Sequence, residues 1–259
     1  MNSTKMSKSP SHGAINAPNR VLFPEYRDTE SYYRDIWELS GQYVDRNPLL
    51  AEHRHFVEVG QFGYGEREFH YVWDKLFSVM PEDFKFLEIG VFQGQVLSLM
   101  SLLNKVSGKK GTIAGITPLG KDGDQYQIHP DIDYRARIRD LYIHFELPAP
   151  VIYRGQSFDP RIQTIVRADG PWDLVYVDGC HDYPVVMDDL RTYSIMVKPG
   201  GYLVVDDAAN NKRIPLNLVP KDWFGLPDVS RAVDEYIDGH PRWVEIACVG
   251  HLRVFKRRA

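Results

Sequence analysis

The sequence predicts an α/β protein in which a seven-stranded, mostly parallel sheet ends in an antiparallel hairpin and carries helices on both faces. Short apolar segments alternate with helical segments from Phe86 to Asp238, as in parallel sheets whose strands are joined by crossover helices. The last two apolar segments, at 243–249 and 252–256, are separated only by Gly250 and His251, which predicts a hairpin turn.

The individual elements follow from spacing, glycines and prolines. Apolar residues at spacings of three and four predict a helix over 30–47. The stretch 48–65 holds three glycines and two histidines, and we expect a loop that folds over a site. A helix over 67–80 ends before Pro81. Beyond it we predict strands at 86–89, 112–116, 151–153, 174–177 and 202–205, and helices at 95–106, 134–145, 159–167, 185–197 and 229–238.

Length and charge narrow the class of protein. A chain of 259 residues suits one α/β domain with extensions. Residues 1–20 carry almost no large apolar side chains, which predicts a disordered tail. The net charge of −4 gives no electrostatic support for a nucleic-acid partner.

Apolar runs and cysteines narrow the class further. No apolar run reaches the roughly 18 residues of a membrane helix, and no signal peptide is recognisable. Cys180 and Cys248 form neither a metal-ligand spacing nor a disulfide framework. We therefore expect a cytoplasmic protein without a membrane partner, and a homo-oligomer is compatible with the sequence.

The first motif is a strand, a tight turn and a helix start at 86–94, with the sequence F-L-E-I-G-V-F-Q-G. Gly90 lets the backbone approach a ligand, and Gly94 lets the following helix pack close to the strand. Glu88 is an acid inside an apolar strand, so it needs a donor from a ligand amine or a backbone amide. The motif has one glycine fewer than the dinucleotide fingerprint, and a turn that binds no nucleotide is the alternative.

Two further motifs place acids at the carboxyl ends of neighbouring strands. Asp178 follows the strand at 174–177, with His181 three residues further on, and Asp206 and Asp207 follow the strand at 202–205. Ligands of parallel sheets bind at this edge, and carboxylates so close together repel one another unless a cation lies between them. Oxygen ligands of this kind suit Mg²⁺, although the acids have an alternative role as caps of the next segments.

The stretch 84–208 resembles class I, S-adenosylmethionine-dependent methyltransferases. D-G-C-H-D-Y at 178–183, followed by K-P-G-G-Y-L-V-V-D-D at 198–207, is similar to the metal-dependent sugar O-methyltransferases of macrolide biosynthesis and to cephalosporin-hydroxylase-like proteins. More distantly, the stretch resembles catechol O-methyltransferase.

This resemblance implies a Rossmann-like fold, an S-adenosylmethionine-binding domain over 82–259 and an N-terminal helical extension or lid over 21–81. It also implies that His181 is the general base and that Mg²⁺ is held by Asp178, Asp206 and Asp207. The residues implied to bind the cofactor are Glu88, Gly90, Gln93, Gly94, Thr117, Gln156, Ser157 and Asp178.

One departure from the family's pattern lies at the end of the second strand. The family usually carries an acid there that binds the ribose hydroxyls, whereas this chain has Thr117, which offers a single hydroxyl. Asp122 or Asp124 in the following loop is the expected replacement.

The predicted function is O-methylation of a small-molecule acceptor, a sugar or another natural product. A nicotinamide-dependent oxidoreductase is one rival, opposed by the missing glycine and by the terminal hairpin. A methyltransferase fold with a binding role only is the other, and Thr117 supports it. His181 has the alternative role of orienting its loop, and the aromatic residues at 62–73 are interpreted as core packing.

Overall fold

Strand order in the sheet is β3-β2-β1-β4-β5-β7-β6, in a computed structural model that describes residues 21–121, 123–126, 129–218 and 224–259. The strands are β1 (Lys85–Ile89), β2 (Thr112–Thr117), β3 (Val151–Arg154), β4 (Trp172–Val177), β5 (Val197–Val205), β6 (Trp243–Val249) and β7 (Leu252–Arg257). The first five pair in parallel, and β7 pairs antiparallel with both β5 and β6. The predicted fold class is therefore confirmed.

Alternation along the strands produces two apolar cores, one on each face of the sheet. Phe86 and Tyr176 point to one face, whereas Leu87 and Val175 point to the other. The first core packs against α1, α2, α3, α4 and α5, and the second against α6, α7 and α8. These helices are α1 (Glu30–Arg46), α2 (Pro48–Gly60), α3 (Phe69–Ser78), α4 (Gln95–Ser107), α5 (Tyr134–His144), α6 (Pro160–Asp169), α7 (Tyr183–Tyr193) and α8 (Pro227–Tyr236).

The loop predicted over 48–65 is wrong for most of its length, because α2 occupies it as far as Gly60. The Asn47 side chain accepts a hydrogen bond from the Leu50 amide, and Pro48 occupies the first turn, where its missing N–H costs nothing. Leu50 and Val57 are buried in the first core. The glycines that suggested a loop cluster only at the end of this segment and beyond it.

Two other boundaries differ clearly from prediction, whereas the rest agree to within about two residues. The helix predicted over 185–197 ends at Tyr193, and β5 begins at Val197 rather than at 202. The predicted tail at 1–20 and Asp122 lie outside the described residues. Across the part of the chain that the structure describes, no helix is both long and apolar enough to cross a membrane.

Candidate active site

A cavity of about 890 Å³ opens at the carboxyl ends of β1 and β4, where the strand order reverses. This switch point is where open α/β sheets bind ligands. Of the residues implied as cofactor contacts, six line the cavity: Glu88, Gly90, Thr117, Gln156, Ser157 and Asp178. All three predicted metal ligands and His181 also line it.

Glu88 lines this cavity and has an unsatisfied side-chain oxygen. The side chain is 2% exposed, and its Oε2 has no hydrogen-bond partner among the described residues. Burial raises the pKa of Glu88 well above its ordinary value, against the lowering effect of a hydrogen bond from the Leu97 backbone. A buried carboxyl with a spare acceptor fits a ligand that brings an amine or hydroxyl donor.

Gly90 is required by the protein itself rather than by a ligand. Its φ is +94°, and a Cβ there would lie 1.9 Å from the backbone carbonyl oxygen of Asp178. The adjacent strands meet closely at this point, because the Asp178 amide donates to the Ile89 carbonyl at 2.9 Å. The sequence suggested that glycine is needed here to make room for a ligand. The structure shows that a side chain at this position would collide with the backbone at the end of β4.

Gln93 and Gly94 do not line the cavity, contrary to the role implied for them. The Gln93 amide oxygen accepts a hydrogen bond from Arg137 Nε at 2.6 Å, which turns the side chain toward α5. Gly94 caps α4 with a φ of +91°, and a Cβ there would meet Ile138 of α5 at 3.1 Å rather than the strand. The nearby Gln95 does line the cavity, and its Oε1 is unpartnered within the described ranges.

Thr117 ends β2 at the cavity wall, but its hydroxyl has a local role. The Thr117 Oγ1 accepts a hydrogen bond from the Leu119 amide at 3.1 Å, so it stabilises the turn after the strand. The Asp124 carboxylate, one expected replacement for the ribose-binding acid, instead accepts hydrogen bonds from the His181 amide and ring.

Asp178, Asp206 and Asp207 converge as predicted from the strand order, with a tyrosine between them. The Tyr176 hydroxyl lies 2.8 Å from Asp178 Oδ2 and 2.7 Å from Asp206 Oδ2. Burial, reinforced by the charges of Asp206 and Asp207, raises the pKa of Asp178 well above its ordinary value. The cluster thus gains stability from a proton or a cation.

His181 lies between two carboxylates. Its Nδ1 is 2.7 Å from Asp124 Oδ2, and its Nε2 is 3.1 Å from Asp207 Oδ2. Burial lowers the pKa of His181, but hydrogen bonds and charges from Asp207 and Asp124 outweigh burial and raise it above the ordinary value. With Nδ1–H donated to Asp124, Nε2 is the ring nitrogen that gains or loses the second proton, beside the Asp207 carboxylate.

The sequence motifs missed His251, in the hairpin turn between β6 and β7. Its Nδ1 lies 2.8 Å from Asp206 Oδ1 and 3.1 Å from Asp207 Oδ1. Burial opposes protonation, but the two carboxylates raise the pKa of His251 to about 10. The strand topology could have indicated this histidine: β7 pairs with β5, so the turn before β7 reaches the acids at the end of β5.

These side chains fit a divalent cation. Donor atoms of Asp178, His181 and Asp207 lie within 4.8 Å of one another, and so do those of Asp206, Asp207 and His251. Asp207 belongs to both groups. The Asp124–His181 contact matches the carboxylate–histidine pairs that orient metal-binding imidazoles.

Comparison with known proteins relates part of the chain to a known family. Residues 87–208 match a family model described as a methyltransferase domain. A protein of Acanthamoeba polyphaga mimivirus is 26% identical over 171 residues, which cover 63% of this chain and 70% of that protein.

Two solved structures share the fold. A candidate caffeoyl-CoA O-methyltransferase of Staphylococcus aureus superposes with a TM-score of 0.59 at 12% identity, covering 87% of this chain and 99% of that one. The MycE methyltransferase from the mycinamycin biosynthetic pathway, in complex with Mg and SAH, superposes with a TM-score of 0.52 at 19% identity. The match covers 82% of this chain and 56% of that one. Residues 87–208 of this chain therefore match a methyltransferase domain, and the chain shares its fold with O-methyltransferases.

Proposed function

We propose that the protein transfers the methyl group of S-adenosylmethionine to a hydroxyl of a small molecule, with the help of a divalent metal ion. The observation that carries the proposal is that Asp178, Asp206 and Asp207 line the same cavity as the unsatisfied Glu88 carboxyl, with His181 beside Asp207. The cavity thus brings together residues that suit the cofactor and residues that suit a metal and a proton acceptor.

On the cofactor side, Glu88 Oε2 is the proposed acceptor for a hydrogen bond from the bound cofactor. Gln156 and Ser157, in the turn after β3, line the wall where the resemblance implies the adenine. The Ser157 carbonyl accepts a hydrogen bond from the buried Tyr193 hydroxyl at 2.7 Å, which fixes this turn. The cavity wall is thus preorganised by contacts within the protein.

On the acceptor side, Asp178, Asp206 and Asp207 are the proposed metal ligands. When both groups are bound, S-adenosylmethionine supplies an electrophilic methyl and Mg²⁺ makes a neighbouring hydroxyl more acidic. The remaining task for the protein is to align the two reactants and accept the proton.

His181 is the proposed proton acceptor. Asp124 holds its Nδ1–H, which directs Nε2 toward Asp207 and the cavity. The opposite charge of Asp124 then stabilises the imidazolium that forms when the proton is accepted.

The proposal is tested by transfer of a labelled methyl group from S-adenosylmethionine to a panel of hydroxylated sugars and phenols, with Mg²⁺ or with excess EDTA. We expect transfer with Mg²⁺ and its loss in EDTA. Asp207→Asn should lose activity with the metal, whereas Asp140→Asn, an exposed acid on α5, should behave as wild type. Full turnover in EDTA would exclude a catalytic metal and leave the three acids as caps or cofactor contacts.

A further inference from the structure

The turn between β6 and β7 presses His251 against the acids that follow β5. The His251 backbone carbonyl accepts a hydrogen bond from the Ala208 amide at 3.0 Å, and its Nδ1 lies 3.4 Å from the Asp207 amide nitrogen. Strand β7 pairs with β5 as far as Val205, the last residue of β5, so the register of the sheet fixes how far the turn reaches. The backbone therefore determines where this imidazole lies.

The helical extension fixes the His251 ring from another side. The ring packs edge-to-face on Phe69 of α3, with centroids 4.9 Å apart and planes 80° apart. Phe69 is 2% exposed, as expected for the aromatic residues at 62–73, whereas Tyr64 of that segment is 68% exposed and does not belong to the core. His251 itself is 5% exposed, so its ring is held with Nδ1 toward the acids.

Two carboxylates converge on this one nitrogen. Asp206 Oδ1 lies 2.8 Å from His251 Nδ1, and Asp207 Oδ1 lies 3.1 Å from it. Ligand atoms at right angles around a divalent ion, each about 2.1 Å from it, are about 3.0 Å apart. Hydrogen bonds have the same length, but Nδ1 carries at most one hydrogen and cannot satisfy two carboxylate oxygens with it. A single ion can bind both oxygens and the nitrogen together.

The backbone of Asp207 is held in an uncommon conformation that serves this cluster. Its φ is +52°, in the left-handed region, and its carbonyl accepts a hydrogen bond from the Leu226 amide at 2.8 Å. In this conformation the Asp207 carboxylate reaches two imidazoles, with Oδ1 beside His251 and Oδ2 beside His181. A left-handed residue kept in a buried cluster at a cavity is typical of a ligand site.

We propose that His251 Nδ1 is a direct ligand of the divalent ion, beside Asp206 and Asp207, and that the site therefore favours a first-row transition ion over Mg²⁺. This inference rests on the proposed function, because it concerns the same metal site. Imidazole nitrogen binds ions such as Co²⁺ and Zn²⁺ well, whereas Mg²⁺ prefers oxygen ligands. His251 gives up the proton on Nδ1 when it binds the ion. His181 keeps the role of proton acceptor, at the other oxygen of Asp207.

Electron spin echo spectroscopy of the full chain loaded with Mn²⁺, without cofactor, reports whether a nitrogen is bound directly to the ion. We expect nitrogen modulation in the wild type, its loss in His251→Gln and its retention in His181→Gln. His55→Gln, which changes an exposed histidine on α2 outside the cavity, is the control and should also retain it. Modulation that persists in His251→Gln would overturn the proposal. The wild-type spectrum alone refutes it if no nitrogen is bound, even if His251→Gln folds poorly.

Calorimetric titrations with Co²⁺ and with Mg²⁺ measure the selectivity. Wild type should bind Co²⁺ more tightly, and His251→Gln should reduce that preference by about 10-fold or more, since even the loss of an outer-shell partner weakens metal sites by this much. The preference falls because Co²⁺ loses a nitrogen ligand while Mg²⁺ keeps its oxygen ligands. An unchanged preference in His251→Gln, or an equal fall in His55→Gln, would contradict the proposal.

Failure of the proposed function would give a different result. If the wild-type chain binds none of these ions and excess EDTA leaves turnover unchanged, the metal part of the proposed function fails, and the inference about His251 fails with it. If the ions bind without a directly bound nitrogen, only the inference about His251 fails.

Discussion

Gly90→Ala is expected to destabilise the protein by two separate effects. The methyl group would lie 1.9 Å from the Asp178 carbonyl oxygen, so the end of β4 must retreat by about 1 Å to reach even the shortest real contacts. Overpacking of this kind costs about 1–3 kcal/mol. A left-handed backbone adds about 1–2 kcal/mol for a residue with a Cβ. We therefore expect a loss of about 2–5 kcal/mol in the free energy of unfolding.

Gly108→Ala is the matched control. Gly108 also has a positive φ, +75°, but a Cβ there would meet no atom within 4 Å. Gly108→Ala should therefore lose only the backbone contribution to the free energy of unfolding, about 1–2 kcal/mol. Urea unfolding of both variants measures the difference, and calorimetry with S-adenosylhomocysteine measures affinity. The reasoning is refuted if Gly90→Ala is no less stable than Gly108→Ala and binds the cofactor like wild type.

Three further predictions concern buried polar groups. The raised pKa of Glu88 means that the folded protein keeps a proton that the unfolded chain releases, so stability falls as pH rises above the carboxyl's ordinary range. Cofactor-free Glu88→Gln should therefore be more stable than wild type at pH 8 and equal to it at pH 4, and it should bind the cofactor more weakly. Equal stability of the two proteins at both pH values would contradict the assigned burial cost. His181→Gln should lower turnover by about 10²–10⁴-fold with cofactor affinity unchanged, and near-normal turnover would reduce His181 to an orienting residue. Arg253 is fully buried and contacts Glu245, Asp238 and Asp234; Arg253→Met should cost about 3–5 kcal/mol in urea unfolding, and a loss below 1 kcal/mol would show that these acids find other partners.

The sheet was predictable from sequence because its strands are short, apolar and separated by helices or by a two-residue turn. The number of strands and the antiparallel end follow from that rhythm. The segment at α2 was not predictable in the same way. Its histidines and following glycines resembled a loop, although Asn47 followed by Pro48 is a helix-start signal in the sequence. The buried face of Leu50 and Val57 appears only in three dimensions.

The candidate site was predictable where residues follow strands directly. Asp178, Asp206 and Asp207 meet because the ends of neighbouring parallel strands share one edge. His251 was missed because it lies in a turn that approaches the acids only through the β5–β7 pairing. The role implied for Gln93 depended on side-chain direction, which Arg137 decides.

The central claim is that the cavity at β1 and β4 binds S-adenosylmethionine. Calorimetric titration of the full chain with S-adenosylmethionine and, separately, with NAD⁺, each with and without Mg²⁺, tests it most directly. We predict saturable binding of one S-adenosylmethionine per chain and no binding of NAD⁺. Saturable binding of NAD⁺ with no binding of S-adenosylmethionine would contradict the account.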